Sequence, residues 1–148
     1  LREGTLTRSP VTDVRARIVD GDFHATDSSE PAFRAAGRIA VRNALREAAP
    51  VLLEPLMAVE VTTPVEHQGD LLGDLGRRRG EIRNVTTDGT GCTIEAEVPL
   101  QSLFGYAGDI RSLSHGRAAY TMTPSRYAEL PEHLAAEVVG AGAVVAAG

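Results

Sequence analysis

Residues 52–130 predict an α+β sandwich in the order strand, helix, strand, strand, helix, strand, and residues 1–51 predict a partial α/β unit ahead of it. Three observations carry this. Met57, Val59 and Val61 alternate with Ala58, Glu60 and Thr62, the period of a half-buried strand. Residues 81–87 and 92–98 read as two strands on either side of Asp88-Gly89-Thr90-Gly91, a hairpin signal. Two segments between the strands carry apolar residues at helical spacing instead.

Taken in order, residues 1–10 read as the end of a helix running into a loop, broken by Gly4, Ser9 and Pro10. Residues 11–19 predict a strand with Thr12, Val14, Ala16 and Ile18 on one side and Asp13, Arg15 and Arg17 on the other. No upstream segment offers that strand a partner, so it is expected to be the back half of a domain. Its unpaired edge would invite self-association. Asp20-Gly21-Asp22-Phe23-His24-Ala25-Thr26 is a polar turn. Asp27 and Glu30 predict a reciprocal cap, with Pro31 in the first turn, for a helix running to about residue 48. Phe33, Ala36, Gly37, Ala40, Val41, Ala44, Leu45 and Ala48 form its expected buried stripe. Pro50 ends it, and residues 51–55 are the joint to the next unit.

After the strand through Met57, Thr63-Pro64 and Glu66 predict a capping box with proline at the first helical position. Val65, Gly69, Leu72 and Leu75 or Gly76 share one face of that helix. Arg77, Arg78 and Arg79 suit the negative end of its dipole, and Gly80 is the expected left-handed stop. Pro99 opens the second helix, whose apolar face is Leu103, Phe104, Ala107, Ile110 and Leu113. Gly105 and Gly108 invite a bend, and Gly116 ends it. Residues 117–123 supply the last strand. This order is that of a ferredoxin-like βαββαβ sandwich, four antiparallel strands with both helices on one face. Residues 131–148 hold a short helix over 132–139 and an Ala/Gly/Val tail, from Gly140 on, that is expected to be frayed.

Composition narrows the function. A chain of 148 residues that is 43% hydrophobic can build a core, and with 4% aromatics and no Trp that core is aliphatic. The net charge of -5 argues against a wholesale polyanion binder but leaves room for basic patches. All 15 basic residues are Arg, which fits either genomic base bias or forked phosphate contacts. The lone Cys92 alternates with Ile94, Ala96 and Val98, so it reads as a core thiol in a reducing cytoplasm. No apolar run suggests a signal peptide or a membrane span, and the first residue is not Met, so the chain is expected to begin inside a larger protein.

Catalytic constellations are mostly absent from the sequence. No GxxxxGK[ST] loop occurs, and Gly73-Asp74-Leu75-Gly76 sits late in a helix rather than after a strand. His67 and Asp70 are the one pair at ligand spacing, and they read as a solvated polar face rather than a metal site. The basic features say more. Arg34, Arg38, Arg42 and Arg46 recur every four residues, a ridge suited to spanning phosphates or simply a solvated face. Arg77, Arg78 and Arg79 could grip RNA backbone or serve the helix end. His24, beside Phe23 and Asp22 in a polar loop, could hydrogen-bond to or stack on nucleotides.

LEPLMAVEVTTP followed by GDLLGDLGRRRGEI resembles the entry to the last domain of the translational GTPase elongation factor G. VDGDFHATDSSEPAF resembles that family's fourth domain, in which a histidine-bearing loop precedes Asp-Ser-Ser-Glu and a helix. Leu103-Phe104-Gly105-Tyr106-Ala107-Gly108-Asp109-Ile110-Arg111-Ser112 resembles the second helix of the fifth domain, and Ser125-Arg126-Tyr127 its exit. The resemblance implies that residues 1–51 are the carboxy-terminal half of domain IV, of the ribosomal protein S5 domain 2-like fold, and residues 52–130 domain V. It implies a ribosomal partner: the loop of His24 beside tRNA and mRNA in the decoding region, the fifth domain against large-subunit rRNA, and Asp22, His24, Arg34, Arg38, Arg42, Arg77, Arg78 and Arg79 as RNA-contacting residues. The implied role is translocation in the cytoplasm, with no membrane partner. The chain is expected to carry no catalysis, cofactor or metal of its own, because GTP and Mg belong to an amino-terminal domain of the parent protein. Pro31, Thr123-Pro124 and a tail without lysines depart from the family pattern and leave a ribosomal-protection-type paralogue open. A stand-alone ferredoxin-like regulatory module that binds a small ligand is the reading outside the family, and a plain interaction domain is a third.

Overall fold

A computed structural model describes residues 4–7 and 9–145. The chain divides into two units, one made of residues 1–52 and 130–148 and the other of Leu53–Glu129.

The second unit is an α+β sandwich. Its strands are β1 (Leu53–Pro64), β2 (Glu81–Asp88), β3 (Gly91–Pro99) and β4 (Ala119–Glu129). They form one antiparallel sheet in the order β2-β3-β1-β4, as the ferredoxin-like reading requires. Two helices, α2 (Gln68–Arg77) and α3 (Tyr106–Leu113), complete the pattern. The alternation in β1 and β3 decides which side is covered. Met57, Val59 and Val61 pack with Cys92, Ile94, Ala96 and Val98, and Leu71, Leu75, Leu103, Tyr106 and Ile110 close the core over them. Cys92 is a buried free thiol.

Several local expectations give way here. Thr63 caps nothing: Pro64 ends β1, a 3-10 turn (Val65–His67) follows, and the Thr63 hydroxyl is buried without a partner. The buried face of α2 is Leu71, Asp74 and Leu75 rather than the Val65–Gly69–Leu72 stripe, because that 3-10 turn rotates the frame. Pro99 ends β3, and a second 3-10 turn (Leu100–Leu103) precedes α3. Gly105 takes the left-handed N-cap position of α3 at φ 80°, which turns Phe104 outward to 79% exposure and leaves Ala107 exposed. The last strand runs beyond residue 123 through Pro124 to Glu129. Proline is tolerated because β4 is an edge strand and Pro124 adjoins the bulge at Ser125.

Both helices of this unit end with the same pair of backbone hydrogen bonds. In α2 Arg79 is left-handed at φ 63°, its N–H donates to Gly76 O (3.1 Å), and the Gly80 N–H donates to Leu75 O (2.8 Å). In α3 His115 is left-handed at φ 52°, its N–H reaches Ser112 O (3.3 Å), and the Gly116 N–H reaches Arg111 O (2.8 Å). These are Schellman caps with a non-glycine at the left-handed position and glycine after it. The expectation that Gly80 itself is left-handed is therefore corrected. Gly80 is needed for another reason, since a Cβ there would lie 2.6 Å from Leu75 O.

In the first unit α1 (Glu30–Glu47) and α4 (Glu132–Val145) are the helices. Ser29, not Asp27, caps α1: its Oγ accepts from the Ala32 N–H at 3.3 Å. Residues 11–19 form no strand, because none of the described residues pairs with them. The stripe expected to be buried on α1 is consequently open. Phe33 is 52% exposed, and Leu45 is the only buried residue of the helix. Residues 4–7 bend rather than coil, with the Gly4 N–H on Ser9 O at 2.9 Å, while residues 1–3 of the expected helix end lie outside the described residues. The helix expected over 132–139 continues to Val145, through Gly140 and Gly142. Residues 146–148 of the expected frayed tail lie outside the described residues.

Candidate nucleic-acid interface

The sequence-predicted site residues fall into two groups, one in each unit. Asp22, His24, Arg34, Arg38 and Arg42 belong to the first unit, and Arg77, Arg78 and Arg79 to the second.

The loop of His24 is closed by hydrogen bonds within itself. The His24 N–H donates to Ser28 Oγ at 2.7 Å, and the Ser28 N–H returns to His24 O at 3.0 Å. Upstream, the Gly21 N–H donates to Asp20 Oδ1 at 2.8 Å. Closing the loop at Ser28 leaves the imidazole outside, its side chain 79% exposed, with Asp27 Oδ2 at 4.0 Å from Nδ1. Phe23 is 72% exposed beside it, and Asp22 is exposed as well. An exposed imidazole and phenyl ring on a fixed turn can stack on a base and donate to a phosphate or ribose oxygen.

Ser29 starts α1 immediately after this loop, and the four-residue period lines up Arg34, Arg38, Arg42 and Arg46 along it. All four are exposed. Arg34 is tied to Glu30, its Nη2 2.7 Å from Oε1. Arg38, Arg42 and Arg46 form no ion pair among the described residues, so their forked donors face solvent.

The three arginines that end α2 part company. Arg77 points outward, its side chain 72% exposed, with Asp74 Oδ1 at 3.3 Å. Arg78 points inward at 13% exposure. It donates to Asp74 Oδ2 (2.7 Å), to Ser102 O (2.6 Å) and to Asp109, and its guanidinium lies 5.0 Å from the centre of the Tyr106 ring. Burial alone would lower its pKa, but the bonds to Asp74 and Asp109 carry it above the ordinary value. The same setting acts on Tyr106, whose phenol is pushed up to about 12 by burial and by the Asp74 charge. Arg79, held left-handed by the helix cap, turns back to Glu54 on β1, donating from Nη1 to Oε2 at 3.0 Å and also bonding the other oxygen. Of this run, Arg77 presents its guanidinium most fully to solvent.

Sequence reasoning passed over two clusters. Glu97 collects Arg83, Ser125 and Arg126 on the open face of the sheet. His67, taken with Asp70 as a solvated polar face, is instead buried, with Glu66, Arg117 and His115 around it. Neither cluster is readable from spacing, since each joins residues from separate elements. No group of three His, Cys, Asp or Glu side chains among the described residues could hold a metal ion.

Residues 1–49 match the family model for elongation factor G, domain IV, and residues 51–138 match that for the elongation factor G C-terminus. Among solved structures, a crystal structure of a protein from Thermus thermophilus superposes with a TM-score of 0.84 at 39% identity over 96% of this chain. The chain spans 22% of that protein's length. With its βαββαβ sandwich following a domain IV segment, the chain belongs to the elongation factor G family.

Proposed function

We propose that this chain is the ribosome-engaging carboxy-terminal part of an elongation factor G-type translational GTPase, working in the cytoplasm. The observation that carries the reading is the His24 loop, closed on itself by Ser28 with its ring exposed, and followed directly by a helix bearing an arginine ridge. In this reading His24 and Asp22 stand beside tRNA and mRNA in the decoding region. Arg38 and Arg42 neutralise nearby phosphates, and the second unit meets large-subunit rRNA through Arg77. Phosphate contacts of this kind hold the tip in register, and the loop obstructs return of tRNA during translocation. The membrane has no part in it, and no helix among the described residues is long and apolar enough to cross one.

The sequence has no glycine-rich phosphate loop, and the described residues offer no cluster for a divalent ion. In this reading GTP and Mg belong to another part of the parent protein, and this chain is given no chemical step.

The test joins the chain to the GTP-binding front of a family member and measures single-round translocation and ribosome-dependent GTP turnover. His24→Ala is expected to slow translocation about tenfold, the equivalent of roughly 1.4 kcal/mol, while turnover is kept. Equal loss of both would overturn the role of His24, and a joined protein that never engages ribosomes would overturn the reading. Arg38→Gln and Arg42→Gln should each reduce the slope of log K against log salt for ribosome binding by about 0.7 to 0.9.

A further inference from the structure

His67 is a buried imidazole in the 3-10 turn ahead of α2, and its Nε2 faces two opposite partners. Arg117 Nη2 lies 2.9 Å from it and Glu66 Oε1 lies 3.5 Å from it. A guanidinium only donates, so the Arg117 contact requires a lone pair on Nε2 and places the ring proton on Nδ1. A proton on Nε2 would end that bond, set two cations against each other, and offer Glu66 a charge-assisted donor instead. Glu66 is at present also the partner of Arg117. The other charged and titratable groups around the ring are few. His115, left-handed at the end of α3, stands edge-on with ring centres 5.6 Å apart at 67°. Asp70, one turn on in α2, is exposed and forms no ion pair among the described residues. The β2–β3 turn reaches the same end of the unit through the Val65 N–H on Thr90 O (2.9 Å), and its acid, Asp88, makes no ion pair with His67.

We propose that His67, Glu66 and Arg117 form a proton-operated latch: the neutral imidazole holds Arg117 in place, and protonation passes Glu66 from Arg117 to His67 and releases the guanidinium to solvent. Arg117 lies ahead of β4 (Ala119–Glu129) and its side chain is already 53% exposed, so solvent is open to the released guanidinium. The result is a corner of the domain whose free positive charge rises as pH falls. This inference does not depend on the ribosomal reading.

Side-chain NMR of the 15N-labelled chain between about pH 5 and 8, the range in which imidazoles ordinarily change charge, tests it. The His67 ring nitrogens are expected to report the Nδ1–H tautomer at high pH. The Arg117 Nε–H signal should change in step with protonation of that ring. His67→Asn should abolish the Arg117 step, Glu66→Gln should move the shared midpoint to lower pH, and His115→Asn should leave the step in place. An Arg117 signal that stays constant while His67 takes up its proton would overturn the latch. So would a ring that stays neutral across the range, a step that survives His67→Asn, or a midpoint indifferent to Glu66→Gln. The wild-type titration decides the matter even if a variant does not fold.

Discussion

Ser125 donates its hydroxyl to Glu97 Oε1 at 2.5 Å, and it can do so because it is the extra residue where β4 slips register against β1, between the Leu56–Arg126 and Met57–Pro124 pairs. The opposite edge repeats the device. Arg83 is the extra residue where β2 slips against β3, between the Ile82–Ala96 and Asn84–Glu95 pairs, and it donates to Glu97 Oε2. Bulges re-aim side chains, and here one on each edge strand is aimed at the same carboxylate. Arg126 completes the set at 3.1 Å. The Arg83 bond above all, then Ser125 and Arg126, holds the Glu97 carboxyl well below the usual range, at about 2.

The sign of the pH dependence follows. A carboxylate whose pKa is lower folded than unfolded stabilises the fold above its unfolded value and loses that contribution as pH falls through the folded one. Glu97→Gln should therefore lower Tm at pH 7. The gap between variant and wild type should begin to close below about pH 4.5, the ordinary glutamate value, and vanish below about pH 2. Thermal melts across that interval check it, and a gap unchanged by pH would argue that the network acts through packing alone.

Gly80 sets a second expectation. A Cβ there meets Leu75 O at 2.6 Å and Val98 Cγ2 at 3.2 Å, so the end of α2 must shift to admit it. Gly80→Ala should cost roughly 1–3 kcal/mol in urea unfolding. Arg79→Gly, by contrast, relieves left-handed strain but leaves Glu54, which is buried at the start of β1, without its guanidinium. It should destabilise where a lone conformational argument would have it stabilise.

What was legible in the sequence divides along the same physical line. The strands through Met57–Val61 and Cys92–Val98 were readable because one face of each is buried, and burial writes itself as alternation. The Gly89 turn was readable because φ 59° there favours glycine. Two caps were misassigned by one or two residues, Ser29 for Asp27 and Arg79 for Gly80, because local spelling permits either and tertiary contacts choose. The stripe of α1 was read correctly as apolar but could not be read as uncovered, since periodicity records a preference for burial and not the presence of a cover. At the site, exposure of the His24 loop followed from its polar composition. The separate fates of Arg77, Arg78 and Arg79 did not, because three identical residues in succession at a helix end point three ways. Asp74, Asp109 and Glu54 decide which of them are engaged.

Tyr106 offers a test of a polar group that lacks a partner. Its hydroxyl is buried without a hydrogen bond, while its ring packs edge-on to Tyr120 at 5.0 Å and under Arg78. Tyr106→Phe keeps the ring and removes the stranded hydroxyl. Stability should be unchanged or rise by up to about 1 kcal/mol, which equilibrium unfolding resolves. A loss of more than that would mean the hydroxyl finds a partner in solution.

Arg77 and Arg78 should separate binding from stability. Arg78 joins α2 to the turn before α3 through Ser102 O and to α3 through Asp109, and it neutralises Asp74, which is itself buried. Arg78→Met strands that carboxylate in a largely dry site, with only Arg77 at 3.3 Å to compensate, and should cost about 3 kcal/mol. Arg78→Lys keeps the charge but cannot reach all three acceptors at once, so it should fall between. Arg77→Ala removes a mostly exposed side chain and should move stability by less than about 0.5 kcal/mol. If the end of α2 meets rRNA, that silent variant is the one that weakens binding, with a shallower salt dependence, whereas Arg78→Lys weakens it only in proportion to unfolding. Parallel urea melts and ribosome-pelleting titrations on the joined protein check the crossing. Matching losses of binding at Arg77 and of stability at Arg78 would assign the two neighbours opposite tasks, and an Arg77→Ala protein that pellets like wild type would remove the second unit's arginine from the interface.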